Sequence, residues 1–599
     1  MEEVKRIPYG VSNFVEVVEQ NQYYVDKTMY LPLLEKQPSN LFFIRPRRFG
    51  KSIFLSMLRT YYDIAQKEKF EKRFSNLWIG SRPTQLQGTF QILFLDFSRV
   101  GGLDRTLAEN FDDYCCGGLD DFASIYEPYY YPGFEEEMKA QYGTTNKLNF
   151  LDRKARNNGS KLYLIVDEYD NFTNVVLNEQ GDKVYHALTH ASGFYREIFK
   201  KFKGMFERIF MTGVSPVTLD DLTSGFNIGW NISTDHQFNM MLGFSETDVR
   251  EMIQYYKDAG QLPGNTNIDA MIEEMRPWYD NYCFAEESLE RDPKMFNCDM
   301  VFYYLRHYMT LGKSPKEMID PNTRTDYNKM KKLIRLDKLD GNRKGVLRKI
   351  TEDGQIVTTL TTTFPATDIT KPEIFPSLLF YYGMLTITAT RGNYLVLSIP
   401  NNNVRKQYYE FLLEEYQDNR HINLNDLGLM YYEMAYDGHW RETLEFIAHA
   451  YKENSSVRNA IEGERNLQGF FTAYLSTNAY YLIAPEVELN HGYCDLFLMP
   501  DLIRYDVKHS YIIELKYLSV KDSEAKTEAQ WKEAVEQIKG CCRSQGTQDD
   551  IRHRVALHRH AVSRMGVGTD GRSQIETLLD IIILNTQIFI SHSVFPVNL

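Results

Sequence analysis

Leu41-Phe-Phe-Ile-Arg-Pro-Arg-Arg-Phe-Gly-Lys-Ser52, followed by Ile53-Phe-Leu-Ser-Met-Leu-Arg-Thr-Tyr-Tyr62, is the stretch on which the fold turns. The apolar run Leu41 to Ile44 reads as a buried strand, and Ile53 to Tyr62 as a helix with an apolar stripe. Strand, tight loop, Gly-Lys-Ser and helix is the layout of a phosphate cradle. The first N–H groups of the helix have no partner within it and face anionic oxygens. Lys51 is expected at the terminal phosphates of ATP and Ser52 at Mg²⁺. The nucleotide-binding set is therefore Arg45, Pro46, Arg47, Arg48, Phe49, Gly50, Lys51 and Ser52. One position departs from the pattern G-x-x-x-x-G-K-[ST], because Arg45 stands where the first glycine belongs. The loop has to turn without it. A plain surface turn is the alternative.

A phosphate loop needs an acidic residue at the end of a second buried strand to organise Mg²⁺ and the attacking water. Lys161-Leu-Tyr-Leu-Ile-Val-Asp-Glu168 offers one. Asp167 is expected to organise Mg²⁺ and Glu168 to polarise water. A strand ending in an ordinary acidic turn is the competing reading. Another candidate strand, Glu207-Arg-Ile-Phe-Met-Thr-Gly213, ends in Thr212. Thr212 fits a sensor of the γ-phosphate, and fits a strand-capping threonine equally well.

Length and composition set the frame. A chain of 599 residues suggests roughly three domains. An apolar content of 43% supports folded cores. The net charge of −13 disfavours a chain coated for nonspecific nucleic-acid binding, while leaving room for a local basic groove. The seven cysteines, at 115, 116, 283, 298, 494, 541 and 542, form no C-x-x-C pair and no zinc spacing. A scattered odd set suits a reducing cytoplasm. The N-terminus lacks the apolar core of a signal peptide. No run reaches the ~18 apolar residues of a membrane span. The nearest, Leu578 to Ile590, is broken by Asp580, Asn585 and Gln587. The expectation is a cytoplasmic protein without a membrane partner.

Along the chain, residues 1–235 alternate strand and helix patterns, the mark of a parallel α/β sheet. Candidate strands are 41–45, 91–96, 161–167 and 207–213. Residues 101–160, with Gly-Gly and Cys-Cys-Gly-Gly pieces, read as an irregular insertion. Residues 236–400 read as mostly helical, with one helix opened by a Ser245 cap and Asp248 at its third position. Within them, Ile374 to Ile387 and then Tyr394 to Ile399 read as helix, glycine turn and strand pair. That is the pattern of a small winged-helix unit; a helical lid with no nucleic-acid role is the alternative. Residues 401–455 read as a helical connector.

The last block, 456–599, carries a second chemical site. Residues 479–489 are strand-like, Asn490-His-Gly492 is a turn, and Tyr493-Cys-Asp-Leu-Phe-Leu-Met499 is a second strand holding Asp495. Tyr511-Ile-Ile-Glu-Leu-Lys-Tyr-Leu518 is a third, apolar except at Glu514 and Lys516. Alternation puts those two on one face, where polar groups are costly unless paired. Metal-dependent phosphodiester cleavage needs this set: Asp495 and Glu514 to hold Mg²⁺, and Lys516 to stabilise charge on the phosphate. Gln537, on a helix expected from Glu528 to Gly540, is a further candidate. So is Glu464, on the helix before the first strand, as an added acidic ligand. A surface salt bridge between Glu514 and Lys516 on an edge strand is the competing reading.

Several motifs carry a family resemblance over nearly the whole chain. Tyr23-Tyr-Val-Asp-Lys-Thr28, the Arg45–Ser52 loop and Val166-Asp-Glu168 resemble the AAA-ATPase-like proteins abundant in gut bacteria. Leu378-Leu-Phe-Tyr-Tyr-Gly-Met-Leu-Thr386 and Ile399-Pro-Asn-Asn-Asn-Val-Arg405 resemble that family's middle region. Gly492-Tyr-Cys-Asp495, Glu514-Leu-Lys516 and Ala534-Val-Glu-Gln-Ile538 resemble its C-terminal PD-(D/E)XK nuclease-like domain. The resemblance implies a P-loop ATPase core and a restriction-endonuclease-like α/β fold. Members usually carry Gly where this chain has Asn281, in Trp278-Tyr-Asp-Asn-Tyr282; Asn tolerates the same left-handed backbone. The resemblance fades after about Leu557. The function expected is an ATP-regulated, Mg²⁺-dependent nuclease acting on DNA or RNA. The alternative is an ATP-dependent switch or scaffold whose nuclease fold binds without cutting. Assembly into a homo-oligomer is left open.

Overall fold

The computed structural model describes residues 3–100, 106–170, 194–216, 229–291, 294–321, 343–364, 371, 373–416, 424–455, 464–489 and 492–517, and beyond them 525, 529–530, 532–534, 579–584 and 588–593. Five strands make a wholly parallel sheet: β1 (Asn40–Ile44), β2 (Gln91–Asp96), β3 (Leu162–Asp167), β4 (Arg208–Gly213) and β5 (Trp230–Asn231). Their order is β2-β3-β4-β1-β5. β1 and β3 are buried at every position, as expected of strands covered on both faces. Four of the strands fall where the apolar runs placed them; the two-residue β5 carried no such signal. Because β4 lies between β1 and β3, the carboxyl ends of all three open onto one crevice, the usual ligand position in such sheets.

Helix α1 (Lys51–Tyr62) follows β1 directly. The stretch expected as an irregular insertion is instead largely helical. It contains α2 (Leu107–Tyr126) and α3 (Gly143–Asn158). A reciprocal capping box between Thr106 and Glu109 starts α2. One of the glycines that suggested a break serves packing. A Cβ at Gly118 would lie 2.9 Å from Leu95 Cδ2, so this glycine lets α2 sit close against β2. Helix α4 (Phe194–Met205) precedes β4.

The middle region begins with α5 (Glu246–Asp258), α6 (Ile268–Tyr279) and α7 (Cys298–Leu311). Ser245 and Asp248 form the expected capping box on α5. Next come α8 (Arg343–Asp353), β6 (Gln355–Thr358), α9 (Phe375–Tyr381), β7 (Thr386–Arg391) and β8 (Tyr394–Ser398). The three strands form an antiparallel sheet in the order β6-β8-β7. Helix, Gly383 turn and strand pair are present as read from the sequence. This small sheet shares one apolar core with the parallel sheet, running from Phe14 to Tyr408, while α5 to α7 build a separate core.

A third core joins α10 (Asn402–Tyr416), α11 (Leu424–Tyr436), α12 (Trp440–Ser455) and α13 (Glu464–Leu475) to an antiparallel sheet. That sheet contains β9 (Tyr481–Leu489), β10 (Gly492–Pro500), β11 (Tyr511–Tyr517), β12 (Leu579–Leu584) and β13 (Ile588–Ser593), in the order β12-β13-β11-β10-β9. Leu496, Leu498, Tyr511, Ile513 and Leu515 join this core with Phe470 and Phe471 of α13. Alternation leaves Asp495 and Glu514 on the opposite face. Among the described residues, no helix is long and apolar enough to cross a membrane.

Candidate functional site

The phosphate loop turns by two left-handed residues rather than by a first glycine. Arg48 has φ 67° and Gly50 has φ 88°. Gly50 sits at the N-cap of α1, where its conformation carries no Cβ penalty. Arg45, expected among the nucleotide contacts, does something else. Its guanidinium is buried, sandwiched between the rings of Phe43 and Phe284 at 4.3 and 4.2 Å. It donates to the carbonyls of Ile44, Ser233 and Phe238. Burial pulls its pKa down to about 9. Arg45 is a post beneath the loop, and only its backbone takes part in the cradle. Phe49 is also turned inward, edge-on to Tyr282 and Phe284 at 5.0 and 5.5 Å.

Lys51, at the first position of α1, donates at 2.9 Å to the carbonyls of both Arg45 and Pro46. Burial lowers its pKa, and the charges of Glu168, Asp167 and Asp170 oppose that shift. Ser52 Oγ donates to Asp167 Oδ2 at 2.7 Å. The other oxygen of Asp167 accepts from Thr212 Oγ1 at 2.8 Å and from the Glu168 N–H at 2.9 Å. Loop, β3 end and β4 end are thus joined through one buried carboxylate. Glu168 adopts φ 46°, a left-handed conformation rare outside glycine. Burial raises its carboxyl pKa, against the pull of Lys51 and Arg47. The cleft before these groups has about 430 Å³ of free space, bordered by Ser12, Arg47, Lys51, Ser52, Glu168 and Asp299. That is within the range of small-molecule sites. Hydroxyl and carboxylate oxygens at this spacing are the hard donors Mg²⁺ prefers, so the residues fit an ATP–Mg²⁺ complex.

Some functional residues escaped the sequence. Asp170 is buried and accepts from the N–H groups of Val214 and Ser215, tying β3 to the segment after β4. Its signal was its place three residues after Asp167. The outer side of the loop is held by the middle region. Arg48 pairs with Asp299 at 2.8 Å, Asn297 Nδ2 donates to the Arg47 carbonyl, and the Gly243 N–H donates to the Phe49 carbonyl. A Cβ at Gly383 would lie 2.8 Å from Pro46, so the Tyr382-Gly383 turn rests on the loop itself.

In the C-terminal domain, the pairing of β10 with β11 runs from Leu498–Tyr511 to Leu496–Ile513, and Asp495 and Glu514 are the next residues of the two strands beyond that end. Glu514 is buried. Asp495 Oδ2 accepts from the Leu515 N–H at 2.6 Å, and the Asp495 carbonyl accepts from Gln468 Nε2 of α13. Lys516 lies two positions after Glu514 on β11. Glu464 is the first residue of α13. Gln537 lies outside the described residues. Among the described residues, no group of three or more His, Cys, Asp or Glu side chains forms a metal cluster. The Asp495–Glu514 pair fits Mg²⁺ by donor chemistry, as two carboxylates.

Residues 8–223 match the model of a family described as a predicted AAA-ATPase. Residues 462–559 match the PD-(D/E)XK nuclease superfamily. The chain thus joins an AAA-ATPase-like domain to a PD-(D/E)XK nuclease-superfamily domain. It is 27% identical over 290 residues to a protein of Azotobacter chroococcum mcd 1 described as "Uncharacterized protein in vnfD 5′ region". The alignment covers 48% of this chain and 50% of that protein, so the chain spans about half the length of that relative. Among solved structures, the Aeropyrum pernix ORC2 protein in its ADPNP and ADP complexes aligns over 65% of this chain and 92% of its own, at 11% identity and TM-score 0.28.

Proposed function

We propose that the N-terminal domain binds and hydrolyses ATP with Mg²⁺, and that its nucleotide state controls a Mg²⁺-dependent nuclease in the C-terminal domain acting on nucleic-acid phosphodiesters. The observation that carries this reading is the convergence of Ser52, Thr212 and the Glu168 N–H on the Asp167 carboxylate beside Lys51. Lys51, released from its two carbonyls, is the group for the terminal phosphates. Asp167 holds the Ser52 hydroxyl, Glu168 orients and polarises water, and Thr212 marks the far wall. Mg²⁺ would supply charge neutralisation at phosphate oxygens in both sites. In the C-terminal domain, Asp495 and Glu514 are the ion-holding pair and Lys516 the cation facing the scissile phosphate. We assign the domains as 1–235, 236–400, 401–455 and 456–599, and the location as cytoplasmic.

The test is cleavage of DNA and RNA by the full chain with Mg²⁺ or Mn²⁺, with and without ATP. Loss of cutting in Glu514→Ala, with nucleotide binding intact, supports the reading. Cutting that survives this change removes the proposed site. ATP binding without cleavage under any metal would leave the switch or scaffold.

A further inference from the structure

A third cavity lies where the middle region, helix α10 and the nuclease-like sheet meet. It has about 70 Å³ of free space, room for a phosphate-sized anion but not for a duplex. Its walls come from Lys316 after α7, from Arg405 and Lys406 on α10, and from Arg504 after β10. Two carboxylates also border it, and both are engaged: Asp501 with Arg504, and Glu317 with Lys406 at 3.9 Å. Among the described residues, Lys316 and Arg405 have no carboxylate partner. Arg405 makes only a 3.2 Å contact with the Asn402 amide oxygen.

Two buried donors point to the same occupant. The Arg504 side chain is 4% exposed, and its Nε has no hydrogen-bond partner. Ser476 Oγ, also on the cavity wall, is buried and unpartnered. Buried donors are satisfied in nearly all native structures, so two beside unpaired cations call for an acceptor-rich ligand. Arg405 ends the Ile399–Arg405 motif, which neither the nucleotide cleft nor the carboxylate pair uses.

We propose that this junction is an anion site for a small phosphate-bearing effector, separate from the ATP cleft and from Asp495 and Glu514. The ligand is a free phosphate ion or the phosphate of a mononucleotide. Its oxygens accept from Arg405, Lys316, Arg504 Nε and Ser476 Oγ. An occupant would bridge the middle region and the nuclease-like domain, whose facing groups otherwise include bare positive charge.

Calorimetric titration of the full chain with inorganic phosphate, and separately with dTMP, at constant ionic strength tests this. The expected result is saturable binding with a component weakened about tenfold by Arg405→Gln and by Lys316→Gln, since each removes a charge-assisted contact. Both side chains are partly or fully exposed, so the variants should fold, which thermal melting verifies. Lys51→Ala, which weakens the nucleotide cleft, should keep the binding component that Arg405→Gln and Lys316→Gln weaken. Binding of phosphate alone identifies the free ion, and equal binding of dTMP identifies the ester. Affinity equal in wild type and both glutamine variants, no saturable binding below roughly 10 mM, or loss in Lys51→Ala alone overturns the proposal.

Discussion

Ser52 and Asp167, 115 residues apart in sequence, are joined by a 2.7 Å hydrogen bond at the mouth of the parallel sheet. The bond exists because β4, between β1 and β3, spaces the two strand ends so that a short hydroxyl can reach a short carboxylate. Asp167→Ala removes the acceptor for Ser52, Thr212 and the Glu168 N–H together. Hydrogen bonds to a charged group contribute ~1.5–3 kcal/mol each. The expected outcome is a loss of ATP affinity of at least about tenfold, read with a fluorescent ATP analogue and Mg²⁺. Unchanged affinity would show that this carboxylate does not organise the site.

Glu168 sets a pH dependence. Its ordinary carboxyl value is 4.5, and burial raises it in the folded chain. A raised acid contributes stability that is complete below the unfolded value and is lost as pH rises through the folded value. Glu168→Gln, which stays neutral, should gain stability relative to wild type as pH climbs from 4.5 to neutral. ATP hydrolysis by wild type should show an acid limb with a midpoint above 4.5, because the base must be ionised. A midpoint at or below 4.5 counts against Glu168 as the base.

Gly383 has φ 75°, and its missing Cβ leaves room for Pro46. Gly383→Ala adds both a left-handed strain of ~1 kcal/mol or more and a Cβ only 2.8 Å from Pro46 of the phosphate loop. The expected result is a lower melting temperature together with weaker ATP binding. A melting change alone, with ATP affinity intact, would separate the turn from the cradle.

Arg504 pairs with Glu274 of α6 at 3.3 Å, with both side chains almost fully buried. Tyr304 also donates to Glu274, at 2.6 Å. Removing one partner of a buried pair costs ~3–5 kcal/mol, because it strands a charge. Arg504→Met should therefore cost about 3 kcal/mol in urea unfolding. Adding Glu274→Gln, which keeps an acceptor for Tyr304, should recover part of the loss. A double variant no more stable than the single one would mean that the pair does not join the two regions energetically.

Much of the architecture was legible in the chain itself. Continuous apolar runs marked β1 to β4, since strands covered on both faces have no polar alternation to hide them. Ser245 with Asp248, and Asn281 with its φ of 78°, behaved as local chemistry required. The Arg45–Ser52 loop, Asp167 with Glu168, and Asp495 with Glu514 were marked by strand ends and by charge on apolar strands. These signals act over a few residues, so sequence alone carries them.

Tertiary structure decided what depends on distant partners. α2 was hidden because Gly117 and Gly118 read as a break, whereas Gly118 is a packing contact against β2. Arg45 looked like a phosphate ligand because its charge is visible in sequence, whereas the two rings that enclose it lie on β1 and at Phe284. Asp170, Gly383 and Arg504 gained their places only when β4, Pro46 and Glu274 arrived beside them. The local code wrote the phosphate loop and the carboxylate strand. Long-range packing, which alone sets which buried charge meets which partner, placed the middle region against both.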